Sequence, residues 1–216
     1  MATPFENRNF QKELEKKLQK LKEAGEVPSL VLHSCCAPCS SYVIEYLSDY
    51  FKITVFYYNP NISEQEEYRK RVKEQQRFIN EFPAKYPVGF IEGDYEPQRF
   101  FESVKGYENC REGGERCFIC YAMRLERTAQ LARELKADYF TTTLTISPLK
   151  NSVKLNETGL EMSKRYGVEY LLSDFKKREG YKRSIELSKE YSLYRQNYCG
   201  CAFSKNSCKE KMTGLS

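Results

Sequence analysis

Histidine is almost missing from this chain: His33 is the only one, and a metal site built on several imidazoles is thereby excluded. No stretch approaches the roughly 18 uninterrupted apolar residues that a membrane helix requires. The opening MATPFENRNFQKELEKKLQK is polar rather than signal-like. Together these absences give the expectation of a soluble cytoplasmic protein with no membrane partner. The turn HSCCAPCSS, which follows the first apolar run, contains no glycine, so a glycine-rich phosphate loop is excluded there. An acidic excess is lacking as well. The 35 Lys and Arg against 30 Asp and Glu leave a formal charge of +5, which mildly favours an anionic partner. The 17 Tyr and 13 Phe suit unstacked bases when interleaved with Lys and Arg, although a hydrophobic core draws on the same residues.

Cysteine is abundant, but not in the manner of a secreted scaffold. Nine cysteines in 216 residues are an odd number in a chain that is not short and has no signal-like start. In a reducing compartment, clustered cysteines point to metal ligation or thiol catalysis.

The apolar spacing predicts alternating elements. Phe10, Leu14, Leu18 and Leu21 make residues 1–26 an amphipathic helical extension whose role is packing. Ser29 to Ser34 reads as a strand broken by CCAPC, and a helix follows with Val43, Ile44 and Leu47 on one side. Lys52 to Tyr58 is β-branched and aromatic, a buried strand stopped by Asn59, Pro60 and Asn61. A charged helix is expected over 63–82, with Ser63 and Glu66 forming a capping box. Val88 to Gly93 reads as a third strand, 97–104 and 116–135 as helices, Tyr139 to Ile146 as a fourth strand, 152–166 as a helix, and Glu169 to Leu172 as a fifth strand. Strands alternating with such helices imply a parallel α/β sheet with right-handed crossovers. In open sheets of this kind ligands bind beyond the carboxyl ends of the strands, which gathers CCAPC, YNPN, GDY, SPLKN and SDFKK on one rim. The expected division is a helical extension over 1–26, a catalytic domain over 27–205 and a tail over 206–216.

Cys35 and Cys36 fall where the first strand turns into a helix, so backbone N–H groups and the helix dipole favour thiolates there. Cys117 and Cys120 form CxxC near the start of another helix, with both sulfurs on one face. The two pairs supply four soft ligands. Spacing does not choose between zinc and an iron–sulfur cluster, although adjacent cysteines fit structural zinc poorly. Cys39 and Cys110 are surplus candidates for a second metal, the alternative for Cys39 being a small buried helix residue. Asp94 is either a carboxylate ligand at the same rim or a solvated turn residue. Cys199 and Cys201, with Gly200 between them, are a switchable dithiol whose small ring would be strained and oxidising, or else two further ligands. Cys208, in a Lys-rich tail, is expected to be incidental.

HSCCAPCSSYVIEYL, YYNPNI, RCxxCYAMRLERTA, TTTLTISPLKN and SDFKKREGYKRSIELSKEYSLYRQNYCGC together resemble the epoxyqueuosine reductases of the QueH family, over roughly residues 29 to 202. The resemblance implies an adenine nucleotide alpha-hydrolase-like (HUP) fold with cysteines at the nucleotide-loop position. It implies reduction of the epoxide of epoxyqueuosine, in the anticodon loop of tRNA, to the cyclopentene of queuosine, with water as second product. It also implies a 4Fe-4S cluster on Cys35, Cys36, Cys117 and Cys120, a redox-active disulfide of Cys199 and Cys201, an additional mononuclear iron with Cys39 or Asp94 in reach, an unidentified electron donor, and no cobalamin. Tyr57, Tyr58 and Asp94 are candidate proton donors. Tyr58, Asn59, Lys150, Lys176, Lys177, Lys182 and Arg183 are candidates for contacting the substrate tRNA, since the basic motifs follow the strand ends. Two other readings compete: a zinc-binding module that contacts RNA, and a HUP-fold tRNA thiolase or pyrophosphatase, which wants the glycine-serine loop that HSCCAPCSS lacks.

Overall fold

The computed structural model describes Phe5 and residues 8–206. The tail beyond them, with Cys208, lies outside the described residues. Element order is α1 (Phe10–Ala24), β1 (Ser29–His33), α2 (Ala37–Leu47), β2 (Lys52–Tyr57), α3 (Gln65–Glu81), β3 (Gly89–Glu92), α4 (Pro97–Ser103), α5 (Glu115–Glu134), β4 (Tyr139–Thr142), a 3-10 turn (Thr143–Ile146), α6 (Ser152–Tyr166), β5 (Glu169–Tyr170) and α7 (Gly180–Glu190). The five strands form one parallel sheet in the order β3-β2-β1-β4-β5. No described helix is long and apolar enough to cross a membrane.

Period-two alternation sorts the strands between two cores. Leu30, Leu32, Ile53 and Val55 face a core shared with Leu14, Leu18 and Leu21 of α1, Val43, Ile44 and Leu47 of α2, and Phe78 of α3. Val31, Phe56 and Phe140 face the other side, against Tyr121, Leu125 and Ala129 of α5 and Leu155 and Met162 of α6. The sheet is covered on both faces, as the expected α/β, HUP-like class requires. Helix α6 lies close on β5 because Gly159 leaves room for the Tyr170 ring, which a Cβ there would meet at 2.3 Å.

The connection out of β1 runs to β2 on one side of it, and the chain later returns to its other side as β4. The order of strands therefore reverses between β1 and β4, and the crevice beyond their carboxyl ends is the natural ligand position of such sheets. The CCAPC turn follows β1 directly.

Two local expectations fail, each for a visible reason, and one helix went unread. The capping box at Ser63 and Glu66 does not form: α3 begins after Glu64, which makes no side-chain cap bond, because the Ser63 N–H is donated to the Gly200 carbonyl at 3.3 Å. The fourth strand ends at Thr142, since the Thr142 hydroxyl accepts the Leu144 N–H at 3.1 Å and bends the chain into a 3-10 turn. Helix α7 was not legible as a helix among the charges of SDFKKREGYKRSIELSKE, yet its Leu187 packs into the first core.

Candidate metal and thiol centre

Cys36 occupies the N-cap position of α2 with an extended backbone, and Pro38 stands in the first turn, where its missing N–H costs nothing. The turn is pinned from below. Ser34 Oγ and Ser40 Oγ both donate to Gln75 Oε1, at 2.7 and 2.8 Å. Asn59 Nδ2 donates to the Ser34 carbonyl at 2.8 Å, and Tyr57 reaches the Cys35 carbonyl at 3.4 Å. This scaffold brings the sulfurs of Cys35, Cys36 and Cys39 within 4.8 Å of one another. Cys35 and Cys36 Sγ are 3.8 Å apart. The thiols of Cys35 first, then Cys39, hydrogen-bond to Cys36 and hold its pKa well below the ordinary thiol value, with Arg71 adding to the effect. The same contacts push Cys39 up.

Cys117 and Cys120 face a neighbouring, smaller cavity together with Cys199 and Cys201. The Gly113 N–H donates to Cys117 Sγ at 3.3 Å, and Arg124 Nη2 donates to Cys120 Sγ at 3.1 Å. Arg124 is one turn beyond Cys120 on α5, fully buried, and anchored by Asn59 Oδ1 at 3.3 Å. Its guanidinium lowers the pKa of Cys199 and opposes the rise at Cys120 that burial causes.

The CGC segment closes the site from above. Gly200 has φ +114, and a Cβ there would stand 2.8 Å from Ile62 Cγ1 and 3.2 Å from Arg71 Nη1, so only glycine fits. Arg71 Nη1 donates to the Cys199 carbonyl at 3.2 Å, and Ser204 Oγ accepts the Cys199 N–H at 3.1 Å. Cys199 and Cys201 stand as thiols, like the other described cysteines, and they are not equivalent. Burial works against a thiolate at Cys199, yet the Lys150 ammonium, whose Nζ is 3.3 Å from the sulfur, and the Arg124 guanidinium together outweigh it and hold the pKa below the usual thiol range. Burial and the neighbouring Cys199 push Cys201 up to about 12.

The sign of the Lys150 effect is testable. Removing the ammonium, as in Lys150→Met, raises the Cys199 pKa, so Cys199 protonates at a higher pH and reacts more slowly near neutrality. In reduced, metal-free protein, the midpoint of Cys199 alkylation against pH, followed by peptide mapping, is expected to move upward. A midpoint that stays in place rules out the pairing.

A larger cavity of about 340 Å³ opens over the triad, walled in part by Cys35, Cys36, Cys39, Lys150 and Cys199. Its volume lies within the range of small-molecule sites, about 300–1,000 Å³. Arg71, Glu112, Tyr181, Arg195 and Tyr198 complete much of the wall.

The other expected site residues lie in varied places. Asp94 is exposed, outside the walls of both cavities. Tyr58 is buried and donates to Glu96 Oε2 at 2.9 Å, while its carbonyl accepts from His33 Nε2 at 3.1 Å. The other His33 nitrogen meets the Thr142 hydroxyl at 2.8 Å, and burial lowers the histidine pKa to about 3, so His33 is a neutral strut. Asn59 is likewise a strut, under Arg124. Lys150 points into the site rather than outward. Lys176 pairs with Asp174 at 2.6 Å, Lys182 with Glu179 at 3.5 Å, and Arg183 with Glu45 at 2.6 Å; Lys177 is exposed. Cys110 is half-buried in the loop before α5.

Arg71, Arg124, Glu112 and Tyr121 escaped the sequence reading. For Arg124 a signal existed: it continues the i, i+3, i+7 face begun by Cys117 and Cys120. For Arg71 there was none, because α3 meets the CGC segment only through the fold.

A metal held by thiolates suits what surrounds it. The sulfurs are soft donors, two buried guanidinium groups and the Gly113 N–H compensate their charge, and Tyr121 presents a buried hydroxyl with no described hydrogen-bond partner in the wall of the smaller cavity.

Comparison with known proteins agrees with this geometry. Residues 30–207 match the family described as Epoxyqueuosine reductase QueH. A protein of that name from Streptococcus pyogenes serotype M1 is 44% identical over 214 residues, 98% of this chain and 82% of its own length. One from Staphylococcus epidermidis is 45% identical over 199 residues, covering 90% of this chain and 84% of that protein, and one from Thermotoga maritima is 37% identical over 188 residues, covering 87% and 96%. With the family match spanning most of the chain and these relatives aligned along more than four fifths of their length, the chain belongs to the epoxyqueuosine reductase QueH family.

Proposed function

We propose that this protein reduces epoxyqueuosine to queuosine in the anticodon loop of tRNA, in the cavity beyond β1 and β4, with a cysteine-ligated 4Fe-4S cluster and the Cys199/Cys201 pair as its redox groups. The observation that carries the reading is the joint opening of the thiol triad and Cys199 on one cavity of nucleoside-scale volume. Cys35, Cys36, Cys117 and Cys120 are the residues assigned to the cluster. Cys39 sits in the triad and is the candidate ligand of an additional iron. Bound there, a four-cysteine cluster would supply electrons, and an additional iron with an open position would supply the Lewis acid for an oxygen atom.

The protein's own residues meet the remaining demands. Opening an epoxide to an alkene and water consumes two electrons and two protons. Oxidation of the Cys199/Cys201 pair to a disulfide releases two electrons and the protons of its thiols, with the Lys150 ammonium supplying the second proton where Cys199 is ionised, so the two half-reactions balance. An external donor must then restore the dithiol. Lys150 holds a proton at Nζ where the cavity meets Cys199, within reach of an oxygen leaving from bound substrate. Tyr181 offers an exposed ring to a base splayed out of its loop, and Arg195 an exposed guanidinium to its phosphate. Of the other basic candidates for the tRNA, Lys177 is exposed, and Lys176, Lys182 and Arg183 reach it by exchanging their partners Asp174, Glu179 and Glu45 for phosphate.

The experiment is anaerobic purification, iron and sulfide analysis, and incubation with epoxyqueuosine-containing tRNA and a low-potential reductant. Stoichiometric iron and sulfide with conversion to queuosine is the expected result. A colourless protein with one zinc and no conversion would return the assignment to the zinc-binding alternative.

A further inference from the structure

The larger cavity is rich in positive charge, with Arg71, Lys150 and Arg195 in its walls, and holds one carboxylate among its described lining residues, that of Glu112. Glu112 lies in the loop between α4 and α5. The next residue, Gly113, takes φ +86 and turns its N–H onto Cys117, so the turn that serves the CxxC pair also sets the direction of Glu112. One carboxylate oxygen accepts from Ser204 Oγ at 3.4 Å. Ser204 is buried, accepts the Cys199 N–H, and gives its own N–H to Cys201 Sγ at 3.4 Å. The carboxylate is thereby tied to the CGC segment through one oxygen, and Glu112 borders both the smaller thiol cavity and the larger one.

Epoxyqueuosine joins its epoxy-cyclopentane ring to the base through a secondary amine, which is protonated at neutral pH. That ammonium must sit one bond from the ring whose epoxide is reduced, hence beside a wall whose cations Arg71 and Lys150 already face partners, Glu67 and the Cys199 sulfur. Among the described lining residues Glu112 alone offers a carboxylate to it, and a charge-assisted hydrogen bond there adds to affinity. We propose that Glu112 is a specificity-determining residue that accepts the N–H of this substrate ammonium and so sets the position of the epoxide relative to the thiols. The proposal rests on the reading of this cavity as the epoxyqueuosine site.

The test compares two tRNAs as competitive inhibitors of epoxyqueuosine-tRNA reduction by metal-loaded enzyme. One carries 7-aminomethyl-7-deazaguanine at the modified position and the other 7-cyano-7-deazaguanine, so that they differ in an ammonium against an uncharged nitrile. The wild type is expected to prefer the aminomethyl tRNA by about tenfold, the effect of one partly exposed charge-assisted hydrogen bond. Glu112→Gln should lose that preference while keeping its iron content and its affinity for the cyano tRNA, and Glu112→Asp should recover part of it. A merely structural Glu112 would weaken both tRNAs together. Equal inhibition by the two tRNAs in a wild type that reduces epoxyqueuosine, or a preference that survives in Glu112→Gln, overturns the proposal and leaves the assigned reaction standing. A wild type that does not reduce epoxyqueuosine removes both.

Discussion

Cys36→Ser is expected to lose its iron and, with it, at least about a hundredfold in turnover, while the protein stays folded. Removing outer partners of metal ligands already costs about 10- to 100-fold, and a ligand itself costs more. The separation from folding comes from the position of Cys36. It is the N-cap of α2 and makes no side-chain cap bond, whereas serine is among the favoured residues there. The change is therefore close to neutral, or mildly stabilising, for the helix, and removes only the sulfur ligand. Cys120→Ser should lose metal as well. There the fold pays something, because the Arg124 guanidinium, fully buried, gives up its sulfur contact. Cys39→Ser separates the roles within the triad: as a ligand of an additional iron only, it should cost part of the iron and none of the sulfide. Iron, sulfide and thermal unfolding are measured on the same preparations. Full iron and sulfide in both Cys36→Ser and Cys120→Ser would falsify the ligand assignment.

The order of the elements was legible because hydrophobic spacing and punctuation agree along most of the chain. KITVFYY followed by NPN, or Leu14, Leu18 and Leu21 at helical intervals, leave little choice. The CCAPC turn was legible for the same reason: an apolar run, an abrupt stop, then helical spacing. What the sequence hid was produced by distance. Arg71 is an ordinary member of a charged helix until α3 packs under the CGC segment and its Nη1 meets the Cys199 carbonyl. Lys150 reads as one cation of a basic motif, and only the turn after β4 sends it to Cys199. Tyr58 shows the converse. Its position after a strand suggested substrate contact, but the alternation of β2 and the loop after it turn the phenol to Glu96. The threonines of TTTLTI misled for a chemical reason, since β-branching favours a strand while a hydroxyl that captures a backbone N–H ends it.

Cys199→Ser and Cys201→Ser are each expected to keep the metal and to stop multiple turnover, leaving at most one turnover per pre-reduced site. The dithiol is the only described two-electron, two-proton store beside the cavity that the reaction balance uses. With one sulfur replaced, it can be neither oxidised to a disulfide nor regenerated by a donor, so steady-state turnover should fall below about 1% of wild type. Metal should survive because the CGC segment is held by groups that the substitutions leave in place: Arg71 grips the Cys199 carbonyl, and Ser204 the Cys199 N–H. The two variants should differ from each other. Cys199→Ser removes the sulfur partner that the Lys150 ammonium contacts, leaving a half-buried cation opposite a far less acidic hydroxyl, whereas Cys201→Ser replaces a thiol that burial keeps protonated. The first change is therefore expected to lower thermal stability more than the second. Gly200→Ala provides an independent check, since its Cβ collides with Ile62 and Arg71. It should impair turnover by displacing both sulfurs without removing either, again with metal retained. If the two cysteines are instead ligands, iron falls together with activity in both serine variants. Normal multiple turnover in the double variant would end the relay assignment.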